Sequence, residues 1–310
     1  MIAAFAPATV SNVACGFDVL GFALETPGDV VLADAGPDDL GVEIVAIEGD
    51  EGQLSREVSR NTAGAAAAAL LERLGARRGV RLTIHKGIPL ASGVGSSGAS
   101  AVAALVATNE LLGRPAPLEV LFECALRAEA AGCGASHPDN VAPALYGGFV
   151  LARAVSPPDI VRLPVPAGLS CALLHPHLQV QTGASRALMG DTVPLAAAVK
   201  QWANLGGLVA GLFSSDGALI ARSLEDHVAE PKRAHLVPGF AKVKHAALAA
   251  GALGCSLSGS GPSIFALCSA PQTAEAAGQA MRVAFAEEST LGVDLWVSPV
   301  ALRGARVVAP

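Results

Sequence analysis

Hydrophobic alternation and helical period divide the chain into blocks. Residues 2–8 and 19–24 are apolar, strand-like runs separated by the polar elbow SNVACGFD. Residues 29–34 and 42–47 read as two more strands, the second alternating in GVEIVAIEG, which suggests an antiparallel start. Thr62 to Leu74 is alanine-rich with a helical period, and Asn61-Thr62 supplies a cap at its mouth. Val80 to His85 alternates as a strand that delivers the chain to the stretch PLASGVGSSGASA, Pro89 to Ala101. A helix over Val102 to Leu112 follows and ends at Gly113-Arg114-Pro115.

In the next helix, 118–130, the faces can be assigned. Leu118, Leu121, Phe122, Ala125 and Leu126 form an apolar stripe, while Glu119, Glu123 and Arg127 occupy a solvated face. Glu129 falls on the stripe. A carboxylate there, in the last turn where the helix dipole is unfavourable, needs a positive partner. A metal ion is one answer, and a solvent-exposed helix end is the other.

Residues 132–151 carry several polar side chains crowded before a strand, and 160–165 and 170–176 read as strands. Helices are predicted over 194–213, 239–250 and 274–288, with a strand, a glycine-serine turn and a strand over 252–268 and a final strand in VDLWVSPVAL. Strands and helices in separated blocks point to an α+β architecture. The break at SPPD places the division near residue 155, giving domains 1–155 and 156–310.

At 310 residues the chain can bury two modest cores. A formal charge of −6, with no basic cluster longer than Arg77-Arg78, argues against nucleic acid or an anionic membrane as partner. The positive mean hydropathy comes largely from alanine, and no apolar run reaches the ~20 residues of a membrane helix. MIAAFAPATV lacks the basic region of a secretory signal. The six cysteines stand singly without CxxC pairs, which fits free thiols in a reducing cytoplasm.

The junction of PLASGVGSSGASA with its helix has the makings of an anion site. Free N–H groups at a helix start point outward, and glycines let a phosphate approach the backbone. Ser96 and Ser97 stand at the helix mouth, placed to cap it, to touch phosphate or to ligate Mg²⁺. The loop contains no lysine, so it is not a GxxxxGK[ST] loop. An ordinary glycine-rich turn capped by serine is the alternative.

Three glycine/serine motifs stand in order: PATVSNVACGFDVLG, PLASGVGSSGASA and GCSLSGSGPSIFAL. The set resembles the GHMP kinases over essentially the whole chain. SHPDNVAPALYGG and EPKRAHLVPGF resemble the homoserine kinase branch of that family. The resemblance implies an N-terminal domain of the ribosomal-protein-S5 type, a ferredoxin-like C-terminal domain, and ATP with Mg²⁺. It implies phosphorylation of L-homoserine, a step of threonine biosynthesis. Relatives of this kind are often homodimers, so a second copy of the chain is a candidate partner.

By resemblance, Pro89, Gly93, Val94, Gly95, Ser96, Ser97 and Gly98 would wrap the ATP phosphates, with Asn61 and Thr62 near the base. Ser97 and Glu129 would contact Mg²⁺. Asn12, Asp18, Asn140, Arg186 and Arg233 would hold the amino acid, with His137 beside them. Two arginines suit a carboxylate and Asp18 an ammonium, while Asn12 and Asn140 suit a neutral hydroxyl. Each has a plainer alternative as a turn, cap or surface residue.

Asn140 stands where some GHMP kinases carry a catalytic aspartate, and an amide cannot accept the hydroxyl proton. Asp139 would point elsewhere if this segment is extended. Catalysis is therefore expected to rest on positioning, with Asn140, Glu129 and Ser97 as its agents. Ala14-Cys15-Gly16 replaces the GPG common among relatives, and Cys15 near the pocket suggests thiol-directed inactivation. A different GHMP kinase, such as one acting on mevalonate, and a non-catalytic nucleotide-binding regulator are the alternatives.

Overall fold

The computed structural model describes residues 1–134 and 136–309. The chain opens with β1 (Ile2–Ser11) and β2 (Leu20–Asp38), followed by β3 (Val42–Glu48), α1 (Thr62–Leu74) and β4 (Arg78–His85). Next come α2 (Ser96–Leu111), α3 (Leu118–Cys133), α4 (Pro138–Tyr146) and the hairpin of β5 (Phe149–Val155) and β6 (Pro158–Leu163). After β7 (Ser170–Pro176) lie α5 (Thr182–Ala187), α6 (Leu195–Ser214), α7 (Gly217–Ser223), α8 (Glu230–Arg233) and α9 (Phe240–Ala249). β8 (Gly254–Leu257), β9 (Ile264–Cys268), α10 (Pro271–Ala286), β10 (Val293–Pro299) and β11 (Arg306–Val308) complete the chain.

The first sheet has the path β11-β1-β2-β4-β3, with β5 joined to β2 and β6 to β5. The strands expected over 19–24 and 29–34 are one long β2, which pairs with β5 through Leu20–Phe22 and with β4 from Val30 onward. The pairing of β1 with β2 is antiparallel as expected; β2 also pairs antiparallel with β4, while β3 lies parallel to β4. The second sheet has the order β10-β7-β9-β8 with every pair antiparallel. Counted within that sheet the order is 4-1-3-2, the ferredoxin-like arrangement. Its core side, with Val243, Ala277, Met281 and Phe285, is covered by α9 and α10.

Phe22 of β2 joins the sheets, its ring 4.7 Å from Phe149 and 6.1 Å from Phe265. β11 returns to the edge of β1, Ala3 facing Val308. Ser156-Pro157 forms the turn of the β5–β6 hairpin, so the first sheet continues to Leu163. We propose the division between the domains at residues 164–169 instead of 155, with β11 assigned to the first. Among the described residues no helix is long and apolar enough to cross a membrane.

Two elements near the centre differ from their expected form. α2 begins at Ser96, six residues before Val102, and Lys86 donates to the Ser96 carbonyl in its first turn. The polar segment after α3 folds as α4, with Pro138 in the first turn, where a missing N–H costs nothing. α4 presses on β2 at Gly21, where a Cβ would stand 1.9 Å from the Asp139 carbonyl. Asp139 is therefore on a helix and buried, contrary to an extended segment that would turn it away.

Candidate active site

A cleft of about 760 Å³ opens where the connections of the two sheets meet. It is lined by Asn12, Asp18, Asn61, Thr62, Gly93, Gly95, Ser96, Ser97, Glu129, His137, Asn140, Arg186 and Arg233, all singled out by the sequence. Pro89, Val94 and Gly98 are not among the lining residues. Val94 is fully buried in the core, and Gly98 is buried inside α2 with Val141 beside it. The side-chain positions of Val94 and Gly98 thus lie behind the cleft surface of the loop.

The glycines set the loop's path. Gly93 has φ 79°, and a Cβ on it would meet the carbonyls of Gly261 and Ser258 at 2.5 and 2.6 Å. Gly95 has φ 71°, and a Cβ would lie 2.2 Å from Thr9 Oγ1. The third motif clasps the loop: Ser258 Oγ donates to the Gly93 carbonyl at 2.8 Å, and the Ser263 N–H donates to the Ser92 carbonyl.

Gly95 is the N-cap of α2, and no side chain caps the helix. Ser96 Oγ instead donates to the Ile88 carbonyl at 3.1 Å, while Ser97 is half-buried at the cleft. The first turn of a 16-residue helix thus meets the cleft without a side-chain cap, the arrangement that favours anions.

Behind this turn lies a buried ion pair absent from the sequence-derived set. Lys86 Nζ meets Asp29 Oδ2, their side chains 1% and 0% exposed, and also donates to the Ser96 carbonyl at 3.0 Å and to Ser100 Oγ at 2.7 Å. Asp29 further accepts from the N–H groups of Gly87 and Ile88 and from Ser100 Oγ. Burial holds the Lys86 ammonium below its usual range, and Asp29 opposes that shift. A signal existed: Lys86 is the chain's first lysine, placed at the end of a strand beside the loop.

Asn61 is chiefly a local clamp. Its Oδ1 accepts from the N–H groups of Ala63 and Gly64, and its Nδ2 donates to the Ser55 carbonyl. Thr62 Oγ1 donates to the Ser97 carbonyl, tying α1 to α2.

The elbow between β1 and β2 takes left-handed backbone at residues other than glycine. Asn12, Val13 and Ala14 have φ of 66°, 43° and 57°, and Asp18 has 61°. Such backbone costs L residues roughly 1–2 kcal/mol each, so tertiary bonds must hold it. Asn12 N donates to Asp139 Oδ2, Asn12 Nδ2 to the Gly259 carbonyl, and Asp18 N to Asn12 Oδ1. Cys15 is buried there, and burial pushes its thiol up to about 12, which disfavours the thiolate that thiol-directed inactivation needs.

Arg186 pairs with Asp18 at 2.5 Å on the exposed side of the cleft. Arg233, 4% exposed, donates among the described residues to two carbonyls, Gly259 at 3.2 Å and Ser185 at 3.4 Å. Burial holds its guanidinium below the usual range, with Asp18 opposing and Arg186 adding to that shift. α8, which carries Arg233, is tethered at its start. Asp226 accepts from the N–H groups of Val228, Ala229 and Glu230, and Glu230 binds Ser256 and Lys244.

Glu129 is 1% exposed, on the apolar stripe as its spacing predicts. Leu118, expected on the same stripe, is 46% exposed at the helix start. Glu129 Oε2 accepts from His137 Nδ1 at 3.2 Å, while its buried Oε1 has no partner among the described residues. His137 is thus a partner of Glu129, and that bond pushes its imidazole up. Thr9 Oγ1 donates to Asn140 Oδ1 at 2.8 Å and orients the amide. Asp139 also lines the cleft. Burial first, and then the Asp18 charge, push its carboxyl up to about 7.

Family models for the GHMP kinases N-terminal domain and the GHMP kinases C-terminal domain match residues 61–148 and 207–287. A homoserine kinase of Chlorobium phaeobacteroides is 48% identical over 317 residues, covering 99% of each chain. One of Chlorobaculum tepidum is 48% identical over 318 residues, covering 99% of this chain and 98% of its own. The crystal structure of homoserine kinase from Cytophaga hutchinsonii superposes with a TM-score of 0.96 at 50% identity, covering 99% of this chain and 97% of that one. Leishmania major mevalonate kinase, at 15% identity and a TM-score of 0.71, shares the fold. With this two-domain α+β architecture and these relatives, the chain belongs to the homoserine kinase family of the GHMP kinases.

Proposed function

We infer that this chain transfers the γ-phosphoryl group of ATP to the side-chain hydroxyl of L-homoserine, giving ADP and O-phospho-L-homoserine. The observation that carries the assignment to an amino-acid substrate is Arg233, a buried cation at the cleft with carbonyl partners but no carboxylate within ion-pair distance among the described residues. A substrate carboxylate supplies the missing anion, and Arg186 stands near it. Asp18, on the same face, suits the ammonium.

The N–H groups of Ser96, Ser97 and Gly98 at the mouth of α2 receive the phosphates, and Ile84 and Leu90 offer apolar walls near Asn61 and Thr62 for the base. Ser97 and Glu129 would hold Mg²⁺. The donor set fits: a buried carboxylate oxygen without a partner is what a cation would satisfy. When bound, Mg²⁺ supplies neutralisation of phosphate charge. His137 orients Glu129 through the other oxygen.

Asn140, oriented by Thr9, holds the homoserine hydroxyl toward the γ-phosphate. Phosphoryl transfer has a loose transition state that demands little activation of the nucleophile, so this amide needs to position and not to deprotonate. Asp139 spends Oδ2 on the Asn12 N–H and serves the elbow. A higher kcat in Asn140→Asp, with a new acidic limb in its pH profile, would speak against base-free transfer.

A homodimer is proposed as well, through the exposed α6 side chains Leu195, Val199, Trp202 and Phe213. The cytoplasm is the proposed compartment, in keeping with free buried thiols at Cys15, Cys124, Cys171, Cys255 and Cys268. ADP release from ATP tests the assignment, comparing L-homoserine with L-serine, L-threonine, mevalonate and galactose, with and without Mg²⁺. Selective Mg²⁺-dependent turnover of homoserine is expected. Turnover of another alcohol alone would keep the fold and discard this pocket, and ATP binding without turnover would favour a regulator.

A further inference from the structure

Both arginines of the cleft share one aromatic neighbour. The guanidinium carbons of Arg186 and Arg233 lie over the ring of Phe17, 5.2 and 5.3 Å from its centroid. Two cations so close to a common ring repel each other, and among the described residues only Arg186 of the two has a carboxylate partner, Asp18. The negative face of an aromatic ring attracts guanidinium groups, more strongly where water is excluded.

Phe17 is placed there by the left-handed elbow. Asn12 to Ala14 turn the chain, Asp18 takes φ 61°, and Asn12 binds the Gly259 carbonyl that also accepts from Arg233. The strained turn thus carries the aromatic platform for Arg233 and Arg186, the carboxylate partner of Arg186, and a tether to the Arg233 acceptor.

We propose that Phe17 is a positioning residue for the substrate carboxylate, its ring holding the Arg186 and Arg233 guanidinium groups ready for a single anion. This rests on the assignment of an amino-acid substrate to the cleft. Phe17 touches the arginines, and the arginines meet the carboxylate.

The test is steady-state kinetics of Phe17→Leu and Phe17→Tyr beside the wild type, with L-homoserine and with its methyl ester, which lacks the anionic charge. Leucine keeps apolar bulk and removes the π face, whereas tyrosine keeps both. Phe17→Leu is expected to raise the KM for homoserine about tenfold, or about 1.4 kcal/mol, with kcat and the KM for ATP within about twofold. The preference for homoserine over the ester falls by the same factor, and Phe17→Tyr stays within about twofold of wild type. A chain carrying pentafluorophenylalanine at position 17, with the same shape and a reversed quadrupole, must reproduce the leucine effect if Phe17→Leu does not fold. An unchanged KM in the fluorinated or leucine chain overturns the proposal, as does an equal loss on homoserine and ester. Wild type that turns over homoserine alongside an unaffected variant overturns this proposal alone. Wild type that ignores homoserine overturns the substrate assignment and this proposal together.

Discussion

Replacing Lys86 by methionine probes the ion pair behind the phosphate site. The pair is fully buried, and the variant leaves Asp29 with the N–H groups of Gly87 and Ile88 and the Ser100 hydroxyl, but no cation. Leaving a buried charge without its partner costs about 3–5 kcal/mol. The three remaining donors favour the lower end, ~3 kcal/mol, and the Ser96 carbonyl loses its bond from Lys86, worth ~1 kcal/mol. The expected loss is therefore ~4 kcal/mol. Urea unfolding measures it, with Lys86→Met/Asp29→Asn as the fourth corner of a double-mutant cycle. Asparagine keeps the acceptor and removes the charge, so the double variant should recover at least half of the loss. The first turn of α2 loses its strap in both variants, and the KM for ATP should rise in both. A single-variant cost below ~1 kcal/mol, or a double variant no more stable than the single one, would refute the reasoning.

Asp139 stays protonated in the folded protein to about pH 7, against an ordinary value of 3.8. Between those values the folded state holds the extra proton, so this group lowers stability as pH rises, by up to ~1.4 kcal/mol per pH unit. In urea titrations across pH, Asp139→Asn should gain on wild type from about pH 4 to pH 7 and then level off, and parallel profiles would contradict this. Gly98→Ala should stabilise α2 by up to about 1 kcal/mol, because a Cβ there meets nothing nearer than Val141 Cγ2 at 3.6 Å; a lower urea midpoint would be evidence of strain. Trp202 is 63% exposed on α6, and Trp202→Asp should convert a dimer to a monomer in sedimentation equilibrium with the fold retained. A monomeric wild type, or a variant dimer as tight as wild type, would remove α6 as the interface.

Local chemistry determined what the sequence could disclose. Glu129 was legible because a carboxylate on an apolar helical stripe conflicts with its surroundings, and its orphaned oxygen is the structural counterpart of that conflict. The glycine-rich entry to α2 was legible from its glycines and hydroxyls, although Ser96 turned out to brace the Ile88 carbonyl instead of capping. α4 was hidden among polar residues and two prolines, although Pro138 sits in its first turn and Pro143 is accommodated inside it. The elbow gave no warning either, since left-handed Asn12, Val13 and Ala14 are held by partners more than 120 residues away. Lys86 with Asp29 and Phe17 with its arginines were missed for the same reason: each is defined by a partner remote in sequence.

The most direct measurement is ADP release with L-homoserine by wild type, Glu129→Gln and Arg233→Ala in the same Mg²⁺-ATP buffer. The two changes separate the phosphoryl end of the cleft from the carboxylate end. Wild type should turn over homoserine, Glu129→Gln should lose kcat, and Arg233→Ala should keep most of kcat while its KM for homoserine rises about 100-fold. Full activity in Glu129→Gln, or an Arg233→Ala enzyme with an unchanged KM, would contradict the assignment of these two residues to opposite ends of one catalytic site.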